Sequence, residues 1–184
     1  KDERVFAEGR IFVSQTCLQI GEEKPDFTYL WMGKAPMRID RVVRDKKRYI
    51  DLLLLADEQE NMIDRYLMRS QMYVLLWKGE ACACVAVTNE GDGVLEIKNL
   101  AVCPRYQHMG FGRTMIEFIR HVYAGRFRVL RVGTGDSPAT VPFYERCGFV
   151  RTGCIPGFFT ENYDHPIVEG GVLLRDMVIY SMNL

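Results

Sequence analysis

At 184 residues the chain has room for one core-forming domain, with or without an extension, but not for two complete ones. Hydrophobic residues make up 48% and charged residues 26%; with 24 basic side chains against 24 acidic ones, no overall field favours nucleic acid or an anionic membrane surface. No apolar run reaches the roughly 20 residues that span a bilayer, and the opening KDERVFAEGR is no secretory leader, so the chain reads as a soluble cytoplasmic protein whose charged ligands must be held locally.

Residues 1–36 carry no chemical motif. RIFVSQTCLQI suits one or two short strands and EEKPDF a turn; Met37 is an alternative start, so residues 1–36 read as an N-terminal extension and residues 37–184 as the domain. From Met37 the pattern is regular. MRIDRVV alternates like a half-buried strand, and DKKRYIDLLLLAD and ENMIDRYLMRS read as two helices around an acidic turn. Three short strands follow, MYVLLW, CACVAVT and VLEIKNLAV, joined by KGE and NEGDG as antiparallel hairpins. A helix is predicted from about Gly112 to Tyr123, with Met115, Ile116, Ile119, Val122 and Tyr123 on one face. Next come the strand RVLRVGT and a short helix around TVPFYERCG, with Pro142 in its first turn. Strands at VRTGCI and DMVIYSM close the chain, separated by the long segment GFFTENYDHPIVEGG. The fold class is α+β, a mostly antiparallel sheet flanked by helices.

Cys17, Cys82, Cys84, Cys103, Cys147 and Cys154 lie mostly in apolar segments and lack a secreted disulfide framework, so free thiols are expected. Cys82 and Cys84 share one strand face, and His108, His121 and His165 are far apart in sequence, so no metal is expected. Cys103 with His108 as base would be an acyl-accepting pair, set against direct transfer.

Two features carry chemistry. Leu95 and Ile97 share one parity and Leu100 and Val102 the other, so the phase of the strand changes at Lys98 and Asn99. Either a β-bulge there frees backbone amides and carbonyls for an extended, amide-rich ligand, or Lys98 and Asn99 are exposed edge residues. After this strand, QHMGFG precedes a helix; Gly110 and Gly112 permit a tight turn and close approach, and a helix start favours phosphate. The loop is neither a Walker loop nor the dinucleotide fingerprint, since Met115 stands at the third glycine.

Gln107, Gly110 and Gly112, with LAVCPRY before them and FYERCGF some 30 residues on, closely resemble the GNAT superfamily of acetyl-CoA-dependent acyltransferases. The resemblance covers about residues 37–184, and the closing segment looks like a bacterial subgroup with a poorly defined acceptor. It implies splayed central strands that receive pantetheine on the backbone of Leu100 and Val102, with Ala101 between, and a diphosphate on the amides of Gln107, His108, Met109, Gly110, Phe111 and Gly112. Arg113 is a further phosphate candidate. The same resemblance makes Tyr144 the proton donor to the leaving thiolate, an amide near Val102 the thioester's polarising group, and Glu96 the base that acts through water. GDSPAT departs from the family, which frequently has asparagine there: Ser137 or Asp136 stands in its place, and Ser137 is preferred because an aspartate would repel a diphosphate.

The acceptor implied is a small-molecule primary amine, drawn by Asp57, Glu58, Glu60, Glu161, Asp164 and Glu169 toward a wall of Phe158, Phe159 and Tyr163. The bland reading is that these acids are surface and these rings core. The expectation is an acetyl-CoA-dependent N-acetyltransferase acting by direct attack in a ternary complex, with a non-catalytic acyl-CoA sensor or a peptide or protein N-acetyltransferase as alternatives. A homodimer would cover its sheet edges.

Overall fold

The computed structural model describes residues 27–32 and 35–184, with side chains from Met37 onward. The readings of RIFVSQTCLQI, Cys17 and all but the last residue of EEKPDF lie outside the described residues. Eight strands form one sheet in the order β1-β2-β3-β4-β5-β6-β10-β7, and a two-stranded β8-β9 hairpin stands apart.

β1 (Phe27–Met32), where the sequence reading placed no strand, runs antiparallel to β2 (Ala35–Val42). In β2 the pleat sends Met37 and Ile39 to one face and Val42 to the other, so the strand contributes to two cores. The two expected helices are shorter than the sequence suggested: a 3-10 turn (Lys46–Tyr49) leads into α1 (Ile50–Leu53), and α2 is Glu60–Leu67. In the leucine run, Leu52 and Leu53 are buried whereas Leu55 is exposed, because four consecutive apolar residues cannot share one helix face.

β3 (Gln71–Trp77), β4 (Glu80–Asn89) and β5 (Val94–Val102) form the antiparallel meander expected. β4 is covered on both faces and is fully buried from Cys82 to Val87, which is why CACVAVT reads as a continuous apolar run. α3 (Phe111–Tyr123) connects β5 to β6 (Val129–Gly135), which lies parallel to it. Met115, Ile116 and Ile119 of α3 are completely buried against one sheet face, and α1 and α2 cover the other. After α4 (Val141–Arg146) and β7 (Val150–Ile155), the long segment contains α5 (Phe158–Asn162) and the β8 (Val168–Glu169) and β9 (Val172–Leu173) hairpin. β10 (Met177–Asn183) inserts between β6 and β7. No helix among the described residues is long and apolar enough to cross a membrane.

Candidate active site

The phase change at Lys98 and Asn99 is a β-bulge. Ala86 of β4 pairs with Asn99 and Val87 with Ile97, which leaves Lys98 as the extra residue. Beyond it β5 parts from β6: the parallel ladder joins Val94 through Ile97 to Val129 through Val132 and stops. Asn99 is buried, not an exposed edge residue. Its Nδ2 donates to the Leu53 carbonyl at 2.9 Å and to Tyr66 Oη at 3.1 Å, tethering the bulged strand to α1 and α2.

Cys103 N donates to Cys82 O at 2.8 Å, so by strand alternation the backbone groups of Ala101 and Cys103 face β4, and those of Leu100 and Val102 face the opening. Gln107 Nε2 donates to the Val102 carbonyl at 3.2 Å from that open side. The opening widens into one cleft of about 1160 Å³ running from the start of α3 to the α1–α2 turn and α5. A pocket for one small ligand occupies roughly 300–1000 Å³, so this cleft has room for two.

At one end the chain leaves β5 through a 3-10 turn (Pro104–Tyr106) and passes His108, at φ 60°, to Gly110, at φ 87°, which caps α3. A Cβ on Gly110 would meet nothing within 4 Å; the glycine is required by its backbone angle. At Gly112 the constraint is space, since a Cβ would lie 3.1 Å from Phe143 Cζ. Thr114 N already donates to Gly110 O, whereas the amides of Phe111, Gly112 and Arg113 precede the first helical acceptor and face an incoming anion. The Phe111 side chain turns inward against Trp77, so this residue offers the cleft its backbone. Met109 and His108 are exposed. Arg113 and Arg146 both line this end of the cleft. Extended amides, a helix start and two arginines together fit a ligand with an amide-bearing arm and a diphosphate.

Tyr144, on α4, lines the cleft with its ring between Phe143 and Phe149, at centroid distances of 5.1 and 5.6 Å. Burial, followed by the charge of Glu169, raises its phenol well above the ordinary range, so the hydroxyl holds its proton. Ser137, expected to contact the cofactor, does not line the cleft. It is buried off the cleft wall, its hydroxyl donating to Glu169 Oε2 and accepting from Ala139 N at 3.1 Å to close the turn after β6. Asp136 is exposed and paired with Arg151.

Glu96 lies just before the bulge, nearly buried, with both carboxylate oxygens engaged. Oε1 accepts from Lys98 Nζ and Oε2 from Arg131 Nε at 2.6 Å. The ion pairs continue from Lys98 to Glu90 at 3.6 Å and from Glu90 to Arg69 at 2.9 Å. Alternating charges therefore run beside the cleft from β6 to the turn after α2, with Glu90 just off its lining.

The far end of the cleft is bridged. Tyr163 Oη donates to Asp57 Oδ1 at 3.0 Å, Arg65 Nη1 to Asn162 Oδ1 at 2.8 Å, and the Asp164 amide to Gln59 Oε1 at 3.0 Å. His165 Nε2 reaches Glu58 Oε2 at 3.6 Å. These contacts clasp the segment after α5 to the α1–α2 turn. Burial raises the Asp57 carboxyl above its usual range, against the opposing bond from Tyr163. Phe159 stacks on Tyr163 at 5.5 Å, and both line the cleft with Phe158 while closing a small core over Ile167 and Leu174.

Residues 68–151 match the family model described as "Acetyltransferase (GNAT) domain". Over 156 residues, 83% of this chain and 100% of the relative, the sequence is 32% identical to the "Uncharacterized N-acetyltransferase YvbK" of Bacillus subtilis. The chain belongs to the GNAT superfamily of N-acetyltransferases. Among solved GNAT structures, an IAA acetyltransferase from Bacillus cereus superposes with a TM-score of 0.74 at 30% identity, over 80% of this chain and 99% of that one. A GNAT acetyltransferase from Elizabethkingia anophelis with acetyl-CoA bound gives 0.76 at 29% identity, over 88% and 100%.

The GNAT cleft brings together most of the residues singled out in the sequence: Glu96, Leu100 to Val102, Gln107, His108, Gly110 to Arg113 and Tyr144 line it, whereas Ser137 and Met109 do not. Of the acidic candidates, Asp57, Glu58 and Glu169 reach its wall. Glu60 pairs with Lys47, Asp164 pairs with His165, and Glu161 is exposed. Cys103 packs with the core beneath α1 and α2, off the cleft wall, and makes no pair with His108. Among the described residues no three His, Cys, Asp or Glu side chains are grouped to hold a metal. The sequence reading missed Asn99 as a tether, Arg146, and the cations Arg65, Arg69, Lys98 and Arg131. Arg146 was legible, two residues after Tyr144 in a helix whose start faces the cleft; the others required tertiary contacts.

Proposed function

We propose that this GNAT enzyme transfers an acetyl group from acetyl-CoA to the primary amine of a small molecule by direct attack in a ternary complex. The observation that carries the small-molecule assignment is the clasp between residues 57–65 and 162–165, which closes the far end of the cleft where an extended peptide would need an open groove. The single cleft, large enough for two ligands, supports a ternary complex.

Bound acetyl-CoA supplies the activated acyl group as a thioester. The backbone of Leu100 and Val102 binds and aligns the pantetheine arm along the bulged strand. A Val102 amide directed into the opening polarises the thioester carbonyl. The Gln107 amide is spent on the Pro104 carbonyl, so amides from His108 to Gly112, with Arg113 and Arg146, hold the diphosphate. Tyr144 Oη, which keeps its proton at neutral pH, serves as the proton donor to the sulfur. Glu96, fixed by Lys98 and Arg131, accepts the amine's proton through water.

Calorimetric titration with acetyl-CoA, followed by thiol release over a panel of primary amines, tests the reading. Binding and turnover are expected, with Tyr144→Phe lowering kcat by about a hundredfold or more while acetyl-CoA affinity is unchanged. Binding without turnover on any small amine would overturn the acceptor assignment; an unaltered kcat in Tyr144→Phe would remove the tyrosine from the chemistry.

A further inference from the structure

The acidic loops pointed to a purely cationic acceptor, yet the far end of the cleft is charged with both signs. Arg65, Arg69, Lys98 and Arg131 line it together with the carboxylates. Three of these cations are committed: Arg69 to Glu90, Lys98 to Glu90 and Glu96, and Arg131 to Glu96. Arg65 differs. Its bonded partner is the neutral amide oxygen of Asn162, and among the described residues no carboxylate lies within ion-pair distance of it. A guanidinium carries five N–H donors, and one such bond leaves the planar fork available to a carboxylate. The nearby Asp57 feels the charge of Arg65 but gives its hydrogen bond to Tyr163 Oη, and Glu58 is turned to His165. Facing them is an apolar wall of Phe158, Phe159, Ile167, Leu174, Met177 and Ile179.

Resting on the acetyl-transfer reading above, we propose that the acceptor is an apolar amino acid or close zwitterionic relative, its carboxylate received by Arg65, its side chain by the apolar wall, and its amine presented toward Glu96. Transfer to such an acceptor forms an amide C–N bond and breaks the thioester C–S bond. The zwitterion's ammonium gives up two protons, one to solvent through Glu96 before attack and one on amide formation, while the thiolate gains one from Tyr144; one proton is released overall and no further reactant is needed. An analogue lacking the carboxylate forgoes the charge-assisted, two-point bond that the Arg65 fork offers.

The test uses two non-reactive probes that differ by the carboxylate. CoA-loaded protein is titrated with N-acetylphenylalanine and with N-acetylphenethylamine; thiol release is then followed with phenylalanine, leucine and their decarboxylated amines. The carboxylate-bearing probe is expected to bind at least about tenfold more tightly, with the preference lost in Arg65→Gln and CoA affinity unaltered. Equal affinities, no binding of either probe, or a preference that survives Arg65→Gln would each overturn the proposal. If the probes are discriminated but no amine releases thiol, the carboxylate subsite stands and the acetyl-transfer reading falls. If the decarboxylated amines are acetylated as well as the amino acids, transfer stands and the subsite falls.

Discussion

At the proposed cofactor end of the cleft the chain offers mainly its backbone, in a bulged strand and a glycine-capped helix start, whereas at the proposed acceptor end it offers side chains: a clasp, a row of alternating charges and a wall of rings. Backbone groups are the same whatever the residue, so a site made of them survives sequence change provided its few special angles and close approaches are kept. A side-chain site can be rewritten one substitution at a time. The difference suggests why this superfamily can share a cofactor yet diverge in acceptor.

The largest effect should follow from Gly110→Asp. It places a side chain at φ 87° and a negative charge at the proposed diphosphate site, and acetyl-CoA affinity should fall at least about a hundredfold by calorimetry. Gly110→Ala sharpens the comparison. Its Cβ meets nothing, so only backbone strain of about 1–2 kcal/mol in stability is expected, with most affinity kept. If alanine were as damaging as aspartate, backbone angle and not charge would govern the site.

A smaller effect is expected at Asn99, where the two ends meet. Asn99→Ala leaves the Leu53 carbonyl and Tyr66 hydroxyl without their partner and should cost about 1–3 kcal/mol in urea unfolding. A loss under about 0.5 kcal/mol would mean that the bulge holds itself open without the tether.

The smallest effect belongs to the clasp. His165 is raised above its ordinary value near 6.5 by the hydrogen bond to Asp164, against slight desolvation and with help from Glu58. A raised folded value means that its contribution is fully present below pH 6.5 and is lost as pH rises through the folded pKa. An imidazole titration by NMR should show a midpoint above 6.5, lowered by Asp164→Asn and, less, by Glu58→Gln; a midpoint unmoved by Glu58→Gln would remove His165 from the clasp.

These contrasts also explain what could be read in advance. The bulge at Lys98 announced itself as a parity change, α3 as a 3.6-residue repeat, and the anion loop as a glycine pair, because each is a local constraint on the backbone. Strand β1 was missed because FTYLWM has no clean alternation and lies beside a segment without motifs. Sequence position puts Ser137 at the turn but cannot say that Glu169, from another element, engages its hydroxyl. Arg65, Arg69 and Arg131 look like ordinary surface cations along the chain; their common destination comes only from the packing of α2 over the bulged sheet.

The position of β10 between β6 and β7 bears on how the molecule is made. β7 leaves the ribosome before β10 and has no neighbour to pair with until that later strand arrives. Met177 and Ile179, which line the cleft, come on the same strand. A nascent chain can thus fold the β2–β5 meander early, but completion of the sheet and of the catalytic cleft coincides with one late, long-range pairing step, during which β7 is the segment most in need of protection from aggregation.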